Sequence, residues 1–233
     1  METVNPSLKT RRRLRTKGST RRRLMGGVVR LNSDAVSAIL APIYANLPAT
    51  KAAGEHNLTY GEVEWPTLKV IAEYAEKQEW PSNSPGISGK GRFYDLGCGR
   101  GRAVLYMALT GPFEQSVGIE VLPERIVLAQ QALASLKSAI PSAGSKIRLY
   151  EASFLNPSFK YKDARVVFLS NICFDSKTQD AIFTKLNLEM PKGSLLFCLN
   201  PPSPLPSAFE HVGIERVPMT WTPTSEMHIF RHL

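Results

Sequence analysis

Apolar positions along this chain follow two different periods, and the change between them divides it. Val36, Ile39, Leu40 and Ile43 recur at helical spacing behind Asn32-Ser33-Asp34, so a capped helix is expected over Ala35–Ala45. Leu68, Ile71, Ala72 and Ala75 repeat the pattern and predict a second helix through Pro66–Glu79, entered from Thr59-Tyr60-Gly61-Glu62. Leu47–Leu58 reads as loop, and the Pro-, Ser- and Gly-rich Trp80–Gly91 as a turn segment. From Arg92 onward, short apolar runs alternate with longer amphipathic ones. Strands are expected over Arg92–Leu96, Ser116–Val121, Lys146–Glu151, Ala164–Leu169 and Ser194–Leu199. The intervening helices fall on Ala103–Thr110, Pro123–Ser138 and Ser176–Glu189. Such alternation specifies a parallel sheet with helices on both faces. Two further strands, Gly213–Met219 and Met227–Leu233, flank a Pro/Thr-rich turn that contains Trp221. The expectation is an α/β, Rossmann-like sheet of seven strands, mostly parallel, with an antiparallel last strand. A dinucleotide-binding domain would instead close on a parallel sixth strand.

Composition changes the picture mainly through charge. The chain carries 29 Lys+Arg and 20 Asp+Glu, a net of +9 over 233 residues. Residues 1–30 hold ten of the basic residues and one acid, Glu2, so the remainder is balanced. The expected division is a basic, disordered tail over 1–30, a helical segment with a covering loop over 31–91, and the α/β core over 92–233. Two arginine triplets, Arg11–Arg13 and Arg21–Arg23, suit a nuclear signal or a contact to a nucleic acid backbone. An Arg-rich, acid-poor start also fits a mitochondrial presequence, although Gly18 interrupts an amphipathic helix there. No window approaches a membrane span, and no membrane partner is expected. Cys98, Cys173 and Cys198 are widely spaced, without C-x-x-C or metal spacing to histidine; no metal is expected.

The chemistry concentrates where the first core strand ends. Phe93-Tyr94-Asp95-Leu96-Gly97-Cys98-Gly99-Arg100-Gly101 runs from an apolar strand into three alternating glycines. Gly97 and Gly99 permit positive φ and close backbone approach to a ligand, while Gly101 permits tight helix packing. The spacing is neither G-x-G-x-x-G nor a phosphate loop, since no Lys-Ser/Thr follows. Asp95 orients the turn and suits a ligand amino group. Glu120, about twenty residues on at the end of the second strand, suits a ribose diol. Phe154, after the third strand, suits an adenine face or ordinary core. Asn171, after the fourth strand, offers a carbonyl and an amide to orient an amine, or caps the following helix region. Asn200-Pro201-Pro202 reads as a proline-stiffened loop.

Asp95–Gly101 resembles the first motif of class I S-adenosylmethionine methyltransferases. With Tyr60-Gly61-Glu62, Gly118-Ile119-Glu120, Ser153-Phe154-Leu155, Val167–Phe174 and Trp221-Thr222, the chain resembles the non-SET histone-lysine methyltransferases, the disruptor-of-telomeric-silencing family. The resemblance covers roughly 55–233 and implies S-adenosylmethionine as cofactor. It further implies a core histone in nucleosomes as protein substrate, and a nuclear location. Carried over, it places Tyr60 and Glu62 over the methionine end and Asp95, Gly97, Gly99 and Gly101 in the cradle. Glu120 falls on the ribose, Ser153 and Phe154 lie near adenine, and Asn171, Phe174 and Trp221 line a lysine channel. The sequence departs from the family at Ala152-Ser153, where Gly-Asp is usual, at Arg102, where Gln is common, and at Glu226-Met227, where paired aromatics stand. A related lysine methyltransferase with a non-histone, mitochondrial target and a non-catalytic nucleic-acid scaffold are the alternatives.

Overall fold

The computed structural model describes residues 24–25, 28–48, 50, 61–78, 80 and 91–233. Leu24–Met25 pairs antiparallel with Val28–Val29 in a separate two-stranded ladder within the expected tail, and a seven-stranded sheet organises most of the rest. Its strands are β1 (Arg92–Leu96), β2 (Gln115–Glu120), β3 (Ile147–Glu151), β4 (Ala164–Leu169), β5 (Leu195–Cys198), β6 (Phe209–Met219) and β7 (Thr222–His232). In space they run β3-β2-β1-β4-β5-β7-β6. The first five pair in parallel, and β7 enters antiparallel between β5 and β6. The predicted architecture and its antiparallel last strand are both present.

Period-two alternation divides the core. On β1, Phe93 faces one apolar cluster while Tyr94 and Leu96 face the other; on β5, Leu195 and Phe197 oppose Leu196 and Cys198. Helices α1 (Ser33–Ala45), α2 (Trp65–Lys77), α3 (Arg102–Thr110) and α4 (Pro123–Ala139) cover the first face. Helix α5 (Ser176–Glu189) covers the second through Ile182, Phe183 and Leu186. Strand β4 is buried at all six positions, as expected of a continuous apolar run covered on both sides.

Local chemistry sets the helix ends. Asn32 accepts the Ala35 N–H at 2.8 Å, capping α1. Arg30 donates from Nε and Nη2 to the Thr110 carbonyl, satisfying an orphan acceptor at the end of α3. The sequence pattern understates the final hairpin. Its turn is Thr220-Trp221 alone, because Met219 pairs with Thr222, and Pro223 lies inside β7 next to a register shift. Proline is tolerated at such an irregularity, where no ladder donor is needed. A 3₁₀ turn over Pro141–Lys146, unsignalled in the periodicity, precedes β3. Most of the predicted tail over 1–30 and most of the 47–58 and 80–91 loops lie outside the described residues.

Candidate functional site

The carboxyl ends of β1, β2 and β4 surround a cavity of about 510 Å³. An open α/β sheet places its ligand there, where the strand order reverses direction between β1 and β4. Gly97, Gly99 and Gly101 have φ of +88°, +52° and +78°, so the turn from β1 into α3 is one that residues with a Cβ adopt only under strain. Gly101 does not border the cavity. It is the N-cap of α3, and a Cβ there would stand 3.2 Å from that of Ala129 on α4.

Two buried carboxyls form the polar floor. Glu120 accepts the Gly99 N–H at 2.9 Å and the N–H groups of Val121 and Leu122 at 2.8 and 3.0 Å. These bonds fix the glycine turn to the end of β2. Asp95 borders the cavity beside it. Burial first and the Glu120 charge second push its carboxyl up to about 8. A carboxyl in that state favours a cationic ligand group, since only a positive charge offsets both causes. Cys98, in the same turn, is held well above its usual range by burial, so the thiol is protonated and not a nucleophile.

Glu62 sits at another wall, within a buried arginine pair. Arg100 donates to its two oxygens from Nε and Nη2 at 2.7 Å each, and Arg102 donates from Nη2. Arg102 also donates to the Val63 carbonyl at 3.0 Å and lies 4.8 Å from the Trp65 ring. The Tyr44 hydroxyl donates to the Arg100 carbonyl at 3.1 Å. This cluster ties the segment after residue 60 to the glycine turn. A second fastening joins that segment to the β6–β7 turn. The Glu62 N–H donates to Thr220 Oγ1 at 2.9 Å, the Thr220 N–H returns to the Glu62 carbonyl at 3.0 Å, and Val63 bridges Met219. Trp221 thereby lies over Gly61, where an added Cβ would come within 2.2 Å of its ring.

Aromatic rings close the remaining side. Phe154 stacks on Phe174 with centroids 5.4 Å apart, and Phe174 lies 3.5 Å from where a Cβ on Gly97 would be. Ser153 shapes the loop beneath them by accepting the Leu155 N–H at 3.2 Å. Glu62, Asp95, Gly97, Gly99, Glu120, Ser153, Phe154, Phe174 and Trp221, all singled out in the sequence, meet at this one cavity. Tyr60 lies outside the described residues.

Asn171 is placed differently from the expected amine contact. It is fully buried and does not border the cavity. Its Oδ1 accepts the N–H groups of Leu199 and Asn200 at 3.1 and 3.0 Å, and its Nδ2 donates to the Asn200 carbonyl at 2.6 Å and to Gln179 Oε1. The side chain joins the loops after β4 and β5. Sequence reasoning missed Ser170, Ile172, Cys173 and Arg125, which do border the cavity. For Ser170 and Ile172 the available signal was strand parity, since they continue the face of β4 that holds Phe168 while Leu169 and Asn171 take the other; Cys173 and Arg125 carried no such signal.

The cavity fits S-adenosylmethionine on its donor set. Two buried carboxyls can accept from a ribose and an ammonium group, the glycine turn admits close approach, and the Phe154 ring suits a purine. Among curated proteins, none matches the sequence. Solved structures share its fold at low identity. The candidate methyltransferase yhhF from Escherichia coli is 11% identical over 80% of this chain and 91% of its own, with a TM-score of 0.54. The candidate RNA methyltransferase PH1948 from Pyrococcus horikoshii is 12% identical over 84% and 98%, with a TM-score of 0.54. TrmN from Thermus thermophilus is 17% identical over 72% and 48%, again at 0.54. At such identities the likeness establishes the fold, that of class I methyltransferases. The family described as histone methylation protein DOT1 matches residues 52–207, most of the described core, and the chain belongs to that family.

Proposed function

We propose that this protein is an S-adenosylmethionine-dependent protein-lysine methyltransferase that acts on a core histone in nucleosomes. The observation that carries the reading is the coincidence of the DOT1 family match with a cavity whose polar floor is Asp95, Glu120 and the glycine turn. When bound, S-adenosylmethionine supplies an activated methyl group. Asp95 and Glu120 would hold its amino and ribose groups, and Phe154 would cover its adenine. The chain's own contribution at the acceptor side is exclusion of water and orientation. Phe174, Trp221 and Ile172 wall the acceptor side with apolar surface. Desolvation there lowers the pKa of an entering lysine and favours its neutral, nucleophilic form. No strong base is then required, because alignment of the amine supplies most of the needed advantage.

The arginine-rich residues 1–30 support a nuclear location and a role for nucleic acid backbone in nucleosome affinity. Transfer of labelled methyl to nucleosomes, free core histones and a whole-cell extract tests the reading, with Gly97→Arg as the inactive control. Label on a histone lysine is the expected result. Label confined to an extract protein transfers the activity to a non-histone target, and no label with intact cofactor binding refutes the reading. Deleting residues 1–30 should flatten the salt dependence of nucleosome binding; an unchanged slope removes the tail from the interface.

A further inference from the structure

We infer that two copies of this chain associate through the free edge of β3, joining their sheets into one. Strand β3 ends the order β3-β2-β1-β4-β5-β7-β6, and it pairs with β2 without a register shift. The Ala152 N–H donates to the Glu120 carbonyl at 2.8 Å, so Arg148, Tyr150 and Ala152 turn their backbone groups toward β2. Ile147, Leu149 and Glu151 therefore turn theirs outward. Ile147 is already served: its N–H donates to the Gly144 carbonyl, and its own carbonyl accepts Arg148 Nη1 at 2.9 Å. Within the described residues, no hydrogen bond engages the outward N–H and C=O groups of Leu149 and Glu151. The opposite edge, β6, is blunted. It shifts register beside Val212 and again beside Pro218, and Val63 bridges Met219 near its end. Strand β3 carries neither a proline nor a bulge.

A second copy of the same strand fits this edge by symmetry. With a two-fold axis at Tyr150, Leu149 of each copy faces Glu151 of the other, and each such pair exchanges both of its N–H···O bonds. The residues with spare backbone groups are thus the ones that pair. Between them Tyr150 faces its own counterpart in the non-hydrogen-bonded position, where side chains stand closest. Tyr150 is 41% exposed, and it meets Phe159 edge-on with centroids 5.3 Å apart. Pairing covers each Tyr150 ring with the other and leaves the two Phe159 rings flanking them. Arg148, on the same face of the strand, stands diagonal to the ring of the other copy, within reach of a cation–π contact. The Glu151 side chains lie on the opposite face and are exposed, so solvent and salt screen their mutual repulsion. A chain of unrelated sequence can meet the same backbone groups but does not supply the aromatic pair. Because the paired strands run antiparallel, the two cavities open on opposite edges of the joined sheet. In each copy β3 leads directly into Ser153 and Phe154 of the cavity wall.

Sedimentation velocity on the full chain measures the association, with circular dichroism reporting the fold of each variant. The wild type should sediment as a dimer of 25.8 kDa chains at about 10–100 µM. Glu151→Pro removes an N–H that points away from β2, which an edge strand tolerates, and should raise the dimer dissociation constant by about tenfold or more. Glu151→Ala keeps that N–H and should leave association unchanged or tighter. Tyr150→Lys sets like charges against each other at the axis and should give monomer, and it decides the matter if the proline variant does not fold. Tyr150→Cys should cross-link two copies on oxidation, because partners in that position stand at disulfide distance. The wild type, with Cys98 and Cys198 buried, is the control for cross-linking through other thiols. A wild type that stays monomeric throughout that range overturns the proposal. A dimer that survives both Tyr150→Lys and a folded Glu151→Pro, or a Tyr150→Cys chain that does not cross-link, also overturns it, since association would then use another surface.

Discussion

Replacing Glu62 by glutamine isolates the arginine cluster behind the cavity. The Glu62, Arg100 and Arg102 side chains are 8%, 10% and 12% exposed, so little solvent screens them. The carboxylate accepts three guanidinium N–H bonds, two of them at 2.7 Å. Glutamine keeps one acceptor oxygen and turns an NH₂ toward N–H donors, removing the carboxylate that both guanidiniums share, while Arg102 retains Glu64 at 3.7 Å. Breaking a buried pair by removing one partner costs about 3–5 kcal/mol. For a domain of this length, each kcal/mol moves the melting midpoint by about 2–4 °C, so the expected fall is roughly 6–20 °C. Denaturant titration and thermal melts of both proteins, in low salt and in molar salt, read the effect. Because the pair is buried, the loss should persist in high salt. A loss under about 1 kcal/mol, or one that disappears in salt, would mean that the cluster is hydrated and contributes little, and the account of how residues 61–64 are fastened would be wrong.

Two other perturbations test neighbouring parts of the site. Asn171→Ala strands the buried N–H groups of Leu199 and Asn200, and should cost about 2–5 kcal/mol in a denaturant titration; lost methyl transfer at unchanged stability would instead put Asn171 on the acceptor. Asp95 titrates at about 8 in the folded chain and near 3.8 when exposed, so between those values the unfolded chain ionises while the folded one keeps its proton. Stability present below pH 4 is lost as pH rises through 8. Asp95→Asn removes that titration, and should raise the denaturation midpoint of the ligand-free protein at pH 8 while making little difference at pH 4. A gap that does not change with pH would show that Asp95 is already ionised.

The fold was legible because its signals are local. The apolar run of β4, the Asn32 cap and the glycines after β1 each declare themselves within a few residues. The cofactor half of the cavity was legible for the same reason, since Asp95 to Gly99 and Glu120 all sit at strand ends. What stayed hidden depends on contacts between distant parts. Glu62 looks like a loop acid until Arg100, 38 residues away, is seen beside it. Strand parity separates Asn171 from the cavity face, but its partners Leu199 and Asn200 lie 28 and 29 residues away and no local signal names them. The turn holding Trp221 was drawn too wide because Pro223 reads as a turn residue, whereas a register shift admits it to β7.

The place of β7 in the sheet has a consequence for how the protein is made. The strand synthesised last of the seven fills the slot between β5 and β6, so the apolar edge of β5 stays uncovered until then. The bond from Glu62 to Thr220 spans 158 residues, one of the longest loop closures in the molecule. Contacts of such separation form slowly, and an unpaired apolar edge invites association with other chains. The same strand pair that covers the β5 edge also brings Trp221 over Gly61, so the border of the sheet and one wall of the cavity are completed together. A cavity with all its walls therefore requires the most C-terminal strand pair, although its glycine turn needs only the first strands of the sheet.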